Sequence, residues 1–414
     1  MHHIIIGAGP AGVTAAETLR KQAPDDTITL IGDEPEAPYS RMAIPYLLVG
    51  NIDEPGTHLK QAGDYFSRNR IDVRQQRVTA VDAASKTLQL DNGDSLSYDR
   101  LLIATGSRAA RPPVPGMDLD GVCSCWTLAD ARRIIDSTSP GARVVLIGAG
   151  FIGCIILEAL KKRGVDLHVV ETGDRMVPRM LNEKAGGLIK RWCEQNGVKV
   201  FTSTQVQAIE AAENGFRVKL NSNATLLTDL VITATGVKPN MDFLAGSPIK
   251  TDQGVVVDKT LQSSDPDIFA AGDVAQGFDF SSGQFSVQAI QPTATEHGRI
   301  AAMNMLGAGI KHHGCINMNV LDTLGLVSCS FGAWMGVNGG ESAELYSPNE
   351  FRYLNLQFDA DVLVGASSVG WTQHIGILRG LIESRIRLGV WKDRLLQDPG
   401  KLMEAYMAST QVIG

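Results

Sequence analysis

The chain has 414 residues, 44% of them hydrophobic, more than a single hydrophobic core organises, so roughly two or three domains are expected. Its 45 acidic and 38 basic residues leave a net charge of −7, which argues against general nucleic-acid binding. No apolar run approaches a membrane span and the first strand follows no charged leader, so the expectation is a soluble cytoplasmic protein with no membrane partner.

The first predicted element is a buried parallel strand over His2 to Ile6 (HHIII), running straight into Gly7-Ala8-Gly9-Pro10-Ala11-Gly12 and a helix. A strand, three spaced glycines and a helix start form a dinucleotide cradle. The first glycine makes a tight turn, the second admits a pyrophosphate to the backbone, and the third lets helix pack close on strand. Free N–H groups and partial positive charge at the helix start then face the phosphates. The next strand, Thr27 to Ile31, leads to Asp33 and Glu34, carboxylates suited to ribose hydroxyls. Arg77 to Val81 reads as a further strand, and Leu101 to Ile103 as one ending in the small residues Ala104-Thr105-Gly106. The cluster Arg111-Pro112-Pro113-Val114-Pro115-Gly116 marks a linker.

The same pattern then recurs. Arg143 to Ile147 (RVVLI) enters Gly148-Ala149-Gly150-Phe151-Ile152-Gly153 and a second helix, and Asp166 to Val170 ends in Glu171. A carboxylate there pairs with free ribose hydroxyls and repels a 2′-phosphate, so NAD is expected over NADP, with Arg175 as a counter-signal. Paired cradles in one chain imply a pair of dinucleotides. A small β meander is predicted around Phe216 to Leu220, and a helix from about Ala294 to Leu306. From about residue 312 the pattern changes to alternating strands, such as Tyr353 to Phe358 and Val362 to Ala366 joined by Asp359-Ala360-Asp361, then a helix around Ile375 to Arg387. The basic residues between Arg379 and Lys401 suggest a solvated amphipathic face, with a docking surface for an acidic partner as the alternative.

The six cysteines all follow residue 122, and Cys123-Ser124-Cys125 reads as structural. The pairs His2-His3 and His312-His313, like His374, also read as structural, because no neighbouring Cys, Asp or Glu matches a metal-ligand spacing; no metal is expected.

Behind the two fingerprints stand Leu101-Leu102-Ile103-Ala104-Thr105-Gly106, then Val231-Ile232-Thr233-Ala234-Thr235-Gly236-Val237-Lys238-Pro239-Asn240, then Ile268-Phe269-Ala270-Ala271-Gly272-Asp273-Val274. This order resembles the pyridine nucleotide-disulfide oxidoreductase superfamily over nearly the whole chain. The resemblance implies an α/β fold with two Rossmann-like dinucleotide-binding domains and a C-terminal α+β interface domain: residues 1–110 and 243–311 for FAD, 111–242 for NAD, and 312–414 for the interface domain. It implies FAD contacts from Gly7, Gly9, Pro10, Ala11, Gly12, Asp33, Glu34, Arg41, Val78, Ala104, Thr105, Gly106, Gly272, Asp273 and Thr293. Among these Asp273 would bond the ribitol, and Thr293 would stand where a helix start points at the flavin pyrimidine ring. It implies NAD contacts from Gly148, Gly150, Phe151, Ile152, Gly153, Glu171, Ala234, Thr235 and Gly236.

Disulfide reductases of the superfamily carry a CxxxxC pair early in the chain, and a variant group keeps one cysteine; here Met42 stands at that thiol position and cannot form a thiolate. Tyr39-Ser40-Arg41 resembles instead the ferredoxin and rubredoxin reductases, which pass electrons from NADH through FAD to an iron–sulfur protein. Tyr46 and Ile155 stand where the oxygenase-type members have a lysine and a glutamate, Glu158 reads as a helix-surface or interdomain residue, and Val320-Leu321-Asp322 replaces a Trp-Ser-Asp segment. The stretch Pro38 to Leu48 and the segment Trp391 to Leu396 resemble FAD subunits associated with tungsten aldehyde oxidoreductases. The implied function is an FAD-dependent NAD(H) oxidoreductase serving an iron–sulfur protein or subunit, as a homo-oligomer or in a heterocomplex, by hydride transfer at the flavin without a catalytic side chain. A flavin-only NADH oxidase or peroxide reductase, and a catalytically decayed flavoprotein kept as an assembly module, are the alternatives.

Overall fold

The computed structural model describes residues 1–410, which divide into two compact units. The first comprises Met1–Arg108, Trp126–Leu128 and Val237–Cys315. Its centre is a five-stranded parallel sheet in the order Ile268–Ala270, Arg100–Ile103, His2–Ile6, Thr27–Gly32, Ile71–Gln75. The central strand ends in the apolar run Ile4 to Ile6 because helices and loops cover both sheet faces, and Ile4 and Ile5 are fully buried. Helices Pro10–Gln22 and Gln291–Met305 cross so closely that a Cβ on Gly298 would meet the Ala11 carbonyl oxygen at 2.2 Å. Three-stranded sheets, Val78–Asp82 with Thr87–Leu90 and Ser95–Ser97, and Val255–Val256 with Ala275–Phe278 and Phe285–Val287, complete this unit.

The second unit comprises Ala109–Cys125, Ala129–Gly236 and the chain from Ile316 onward. Its parallel sheet has the order Lys199–Phe201, Asp166–Val170, Arg143–Ile147, Leu230–Thr233, Val122–Ser124. The predicted meander is a three-stranded sheet of Val206–Ala212, Gly215–Leu220 and Thr225–Thr228. Residues after 316 build a five-stranded antiparallel sheet, Met318–Thr323, Leu326–Gly332, Val362–Val369, Arg352–Asp359, Glu341–Ser347, followed by helices Ile375–Ser384, Val390–Gln397 and Leu402–Thr410.

Within this unit helix Phe151–Lys162 packs on strand Met318–Thr323. There Glu158 joins Lys162 at 2.6 Å and accepts the Leu324 N–H at 3.1 Å, while Asn182 donates to the Tyr353 hydroxyl at 2.5 Å. Glu158 is therefore a structural tie between the parallel sheet and the C-terminal sheet. Among the described residues no helix is long and apolar enough to cross a membrane.

Candidate functional site

In the first unit strand His2–Ile6 ends at Gly7, whose φ of +114° suits only glycine, and a Cβ there would meet the Ala104 carbonyl oxygen at 2.0 Å. A Cβ on Gly12 would meet the Gly7 carbonyl oxygen at 1.9 Å, whereas one on Gly9 would meet no atom within 4 Å. Protein packing fixes Gly7 and Gly12; open space faces Gly9. No side chain caps helix Pro10–Gln22 and Pro10 has no N–H, so the N–H groups of Ala11 and Gly12 head the helix as anion donors.

Ala104 donates its N–H to the Ile6 carbonyl at 2.7 Å, bringing the Ala104-Thr105-Gly106 turn alongside, and the Thr105 hydroxyl donates to the Asn240 carbonyl at 2.8 Å. Gly272 lies against Ala11 and Ala294, with 3.3 and 3.4 Å from a notional Cβ to theirs, which sets Asp273 beside the same helix starts. The Ser107 hydroxyl donates to Asp273 at 2.8 Å. Burial raises the Asp273 pKa; the Ser107 bond and the charge of Arg41 act against that rise. Val78 is buried at the head of its strand, and Thr293 is buried in the first turn of helix Gln291–Met305.

Glu34 accepts from the Tyr39 hydroxyl at 2.6 Å and pairs with Arg41 at 2.5 Å, and Arg41 also donates to the Trp126 carbonyl at 2.7 Å. Trp126 donates its indole N–H to the Ser107 carbonyl at 2.7 Å, joining Arg41 to the residue that holds Asp273. Sequence reasoning missed Trp126, for a lone aromatic residue between strand Val122–Ser124 and helix Leu128–Ser137 carries no motif. Asp33 stands further out, paired with Arg77 at 3.1 Å.

The second unit repeats the geometry. Gly148 has φ +103° and its Cβ would meet the Ala234 carbonyl oxygen at 2.5 Å; that of Gly153 would meet the Gly148 carbonyl oxygen at 2.2 Å; that of Gly150 would meet nothing within 4 Å. Ala234 donates to the Ile147 carbonyl at 2.7 Å, Thr235 bonds the Ala110 carbonyl at 2.9 Å, and Gly236 has φ +114°. Phe151 and Ile152, half-buried, open helix Phe151–Lys162. Glu171 is 7% exposed, and its carboxylate accepts the N–H groups of Ala149 and Gly173, each at 2.7 Å.

The copies differ at the end of the second strand. Pairing of Ile6 with Ile31 and of Ile147 with Val170 makes Gly32, not Asp33 or Glu34, the counterpart of Glu171. Gly32 touches Ala8, 3.0 Å from its notional Cβ, where Glu171 instead holds the Ala149 N–H.

The model of the family "Pyridine nucleotide-disulphide oxidoreductase" matches residues 1–298. The chain belongs to that family. Over 412 residues it is 31% identical to the NADH-dependent phenylglyoxylate dehydrogenase subunit epsilon of Aromatoleum evansii, covering 99% of this chain and 97% of that one. Over 304 residues it is 34% identical to the biphenyl dioxygenase system ferredoxin–NAD(+) reductase component of Paraburkholderia xenovorans, covering 73% and 74%. The structure of the covalent putidaredoxin reductase–putidaredoxin complex covers 99% of both chains with a TM-score of 0.90, and at 23% identity it shows the shared fold. As a member of this family the protein is an FAD-dependent NAD(H) oxidoreductase, with FAD and NAD(H) as its cofactors. Both cradles fit such ligands: each leaves one glycine open at a helix start while the other two are locked by backbone.

In this oxidoreductase no cysteine is poised as a thiolate. Burial pushes Cys123 and Cys193 up to about 12 and Cys315 and Cys329 up to about 11, and pushes Cys125 and Cys154 up as well. Met42 and Tyr46 are exposed on the short helical stretch after Arg41, and Ile155 is half-buried in helix Phe151–Lys162. His312 meets His297 and Cys315 in the first unit, with one nitrogen of each imidazole and the thiol sulfur within 4.8 Å of one another. Cys315 is three residues from His312, but His297 comes from a helix that spacing around the pair does not reveal.

Proposed function

We propose that this oxidoreductase passes electrons between NAD(H) and an iron–sulfur protein or subunit, in the cytoplasm, through FAD and without a redox-active disulfide. FAD would lie on Gly7, Gly9, Pro10, Ala11 and Gly12, with Ala104, Thr105, Gly106, Val78, Gly272, Asp273 and Thr293 around it. Arg41 and Glu34 would flank it as an ion pair. NAD(H) would lie on Gly148, Gly150, Phe151, Ile152 and Gly153, with Glu171, Ala234, Thr235 and Gly236. In this reading residues 1–110 and 243–311 serve FAD, 111–242 serve NAD(H), and 312–414 carry the interface.

The observation that supports it most is the duplicated cradle combined with six cysteines whose thiol pKa desolvation raises, which leaves the flavin as the redox relay. Bound FAD accepts a hydride and releases single electrons, the chemistry that joins NADH to an iron–sulfur centre. The protein's own part is binding and orientation. The helix starts take the pyrophosphates, Asp273 offers its carboxylate to the flavin side chain, and Glu171 braces the Gly148 turn from below. Arg175 is spent on the Leu181 carbonyl at 2.8 Å and on Asp174 at 2.7 Å, which supports NAD over NADP. A relative matched over 97% of its length is named as a subunit of an NADH-dependent dehydrogenase, and another as a ferredoxin–NAD(+) reductase component; both names support a heterocomplex with an electron-transfer partner.

The test is anaerobic titration with NADH and then NADPH, followed by a ferredoxin or a viologen, and in parallel by oxygen. Bleaching by NADH and fast reoxidation by the one-electron acceptor support the reading. Fast turnover with oxygen alone would favour a flavin oxidase, and an unbleached flavin would leave an assembly module.

A further inference from the structure

The strongest unexplained feature lies behind the first turn of helix Gln291–Met305. His297, one turn beyond Thr293, is 3% exposed, and neither of its ring nitrogens has a hydrogen-bond partner. A neutral imidazole carries one donor and one acceptor, so burying both unpaired calls for an explanation. His312 stands edge-on to it with ring centroids 4.6 Å apart, buried to 1%, and its own Nδ1 is unpartnered. The other nitrogen, Nε2, faces the Cys315 sulfur at 3.4 Å. Glu296 completes the ring of groups, with Oε2 3.8 Å from that sulfur and 3.9 Å from His312 Nε2.

We propose that His297, His312 and Cys315, with the Glu296 carboxylate as fourth ligand, bind a zinc ion. Two imidazoles, one thiolate and one carboxylate are borderline-soft and hard donors that suit Zn²⁺, and tetrahedral bonds of the usual lengths put ligand atoms roughly 3.5 Å apart. The distances of 3.4, 3.8 and 3.9 Å among Glu296, His312 and Cys315 are already near that value. The His297 nitrogen lies within 4.8 Å of the others, and neither of its ring nitrogens is committed to another partner. The backbone holds the sulfur in place: the Cys315 carbonyl accepts the Phe280 N–H at 3.2 Å and the Gln288 amide at 3.1 Å. Gly314, at φ +88° with Phe280 N 2.7 Å from a notional Cβ, makes the turn that presents it. The ion would staple the turn after residue 311 to the helix whose first turn holds Thr293. It would act as a structural clamp, with no electron passing through it.

The flavoprotein is stripped with a chelator under reductant and titrated with Zn²⁺ or Co²⁺ alone. The expected result is about one metal per chain, with tetrahedral cobalt d–d bands to the red of the flavin absorption. Cys315 is the one cysteine of the six that is not buried, so its reaction with a thiol reagent should be blocked by Zn²⁺. Cys315→Ser and His297→Leu should each abolish the cobalt bands while retaining bound FAD, which reports an intact fold. Should either variant lose FAD, the thiol protection in the wild-type protein still decides. Absence of both bands and protection in the wild type, or survival of the cobalt bands in both variants, overturns the site.

Discussion

The open glycine of the second cradle gives a sharp test, because it separates binding from folding. Gly150 has φ −75° and ψ −169°, a conformation any residue adopts, and a Cβ there meets no protein atom within 4 Å. In Gly150→Ala, loss of a favourable N-cap residue and loss of unfolded-chain freedom oppose each other at about 0.5–1 kcal/mol each, so stability should change little. The new methyl instead occupies the space a pyrophosphate would use. Losing one or two charge-assisted hydrogen bonds, about 1.5–3 kcal/mol, should weaken NADH binding about 10- to 100-fold. Gly153→Ala is the contrast, since its Cβ would lie 2.2 Å from the Gly148 carbonyl oxygen and should cost about 1–3 kcal/mol of stability. The assay is a thermal melt beside an anaerobic titration of flavin bleaching, with FAD content as internal control because the first cradle is untouched. If Gly150→Ala bound NADH with unchanged affinity, or melted as early as Gly153→Ala, the assignment of this cradle would be wrong.

Glu171→Ala removes the acceptor that braces both Ala149 and Gly173, and should weaken NADH binding about 10-fold while narrowing the preference over NADPH, read from the paired titrations. Because desolvation raises the pKa of every thiol, full bleaching should need about one NADH per flavin, and Cys123→Ser with Cys125→Ser should leave that stoichiometry unchanged; a second equivalent taken up would reveal a thiol relay. Burial lowers the His297 pKa from 6.5 to about 3, so between these values the unfolded chain binds a proton that the folded one does not. Stability should therefore fall on acidification below about pH 6.5, at up to about 1.4 kcal/mol per pH unit from this group. His2, His3, His168 and His312 are lowered too and add to the slope, so the check is the difference in denaturant unfolding between wild type and His297→Leu, both with chelator. Equal slopes would remove His297 from the account.

What the sequence disclosed and what it hid have separate physical grounds. The strands HHIII and RVVLI are covered on both faces, so their apolar runs are legible without partners, and the glycines after them are demanded by contacts a few residues away. The paired turns Ala104-Thr105-Gly106 and Ala234-Thr235-Gly236 obey the same local rule, each sending an N–H to the end of its neighbouring strand at 2.7 Å. Register between strands is a different kind of fact, fixed by pairing across the sheet. Gly7 to Gly32 spans 25 residues (32 − 7) and Gly148 to Glu171 spans 23 (171 − 148), so counting forward from each fingerprint could not align the carboxylates. The consequence is chemical, because the first unit uses Arg41 and Tyr39 to hold Glu34 where the second uses backbone N–H groups to hold Glu171. Trp126 and His297 were hidden for a third reason: each comes to its neighbours by tertiary packing, Trp126 from the turn after strand Val122–Ser124 to Arg41 and Ser107, His297 from a helix to His312 and Cys315. Motifs therefore locate the two nucleotide cradles, whereas Trp126 and His297 join their neighbours only once the fold assembles them.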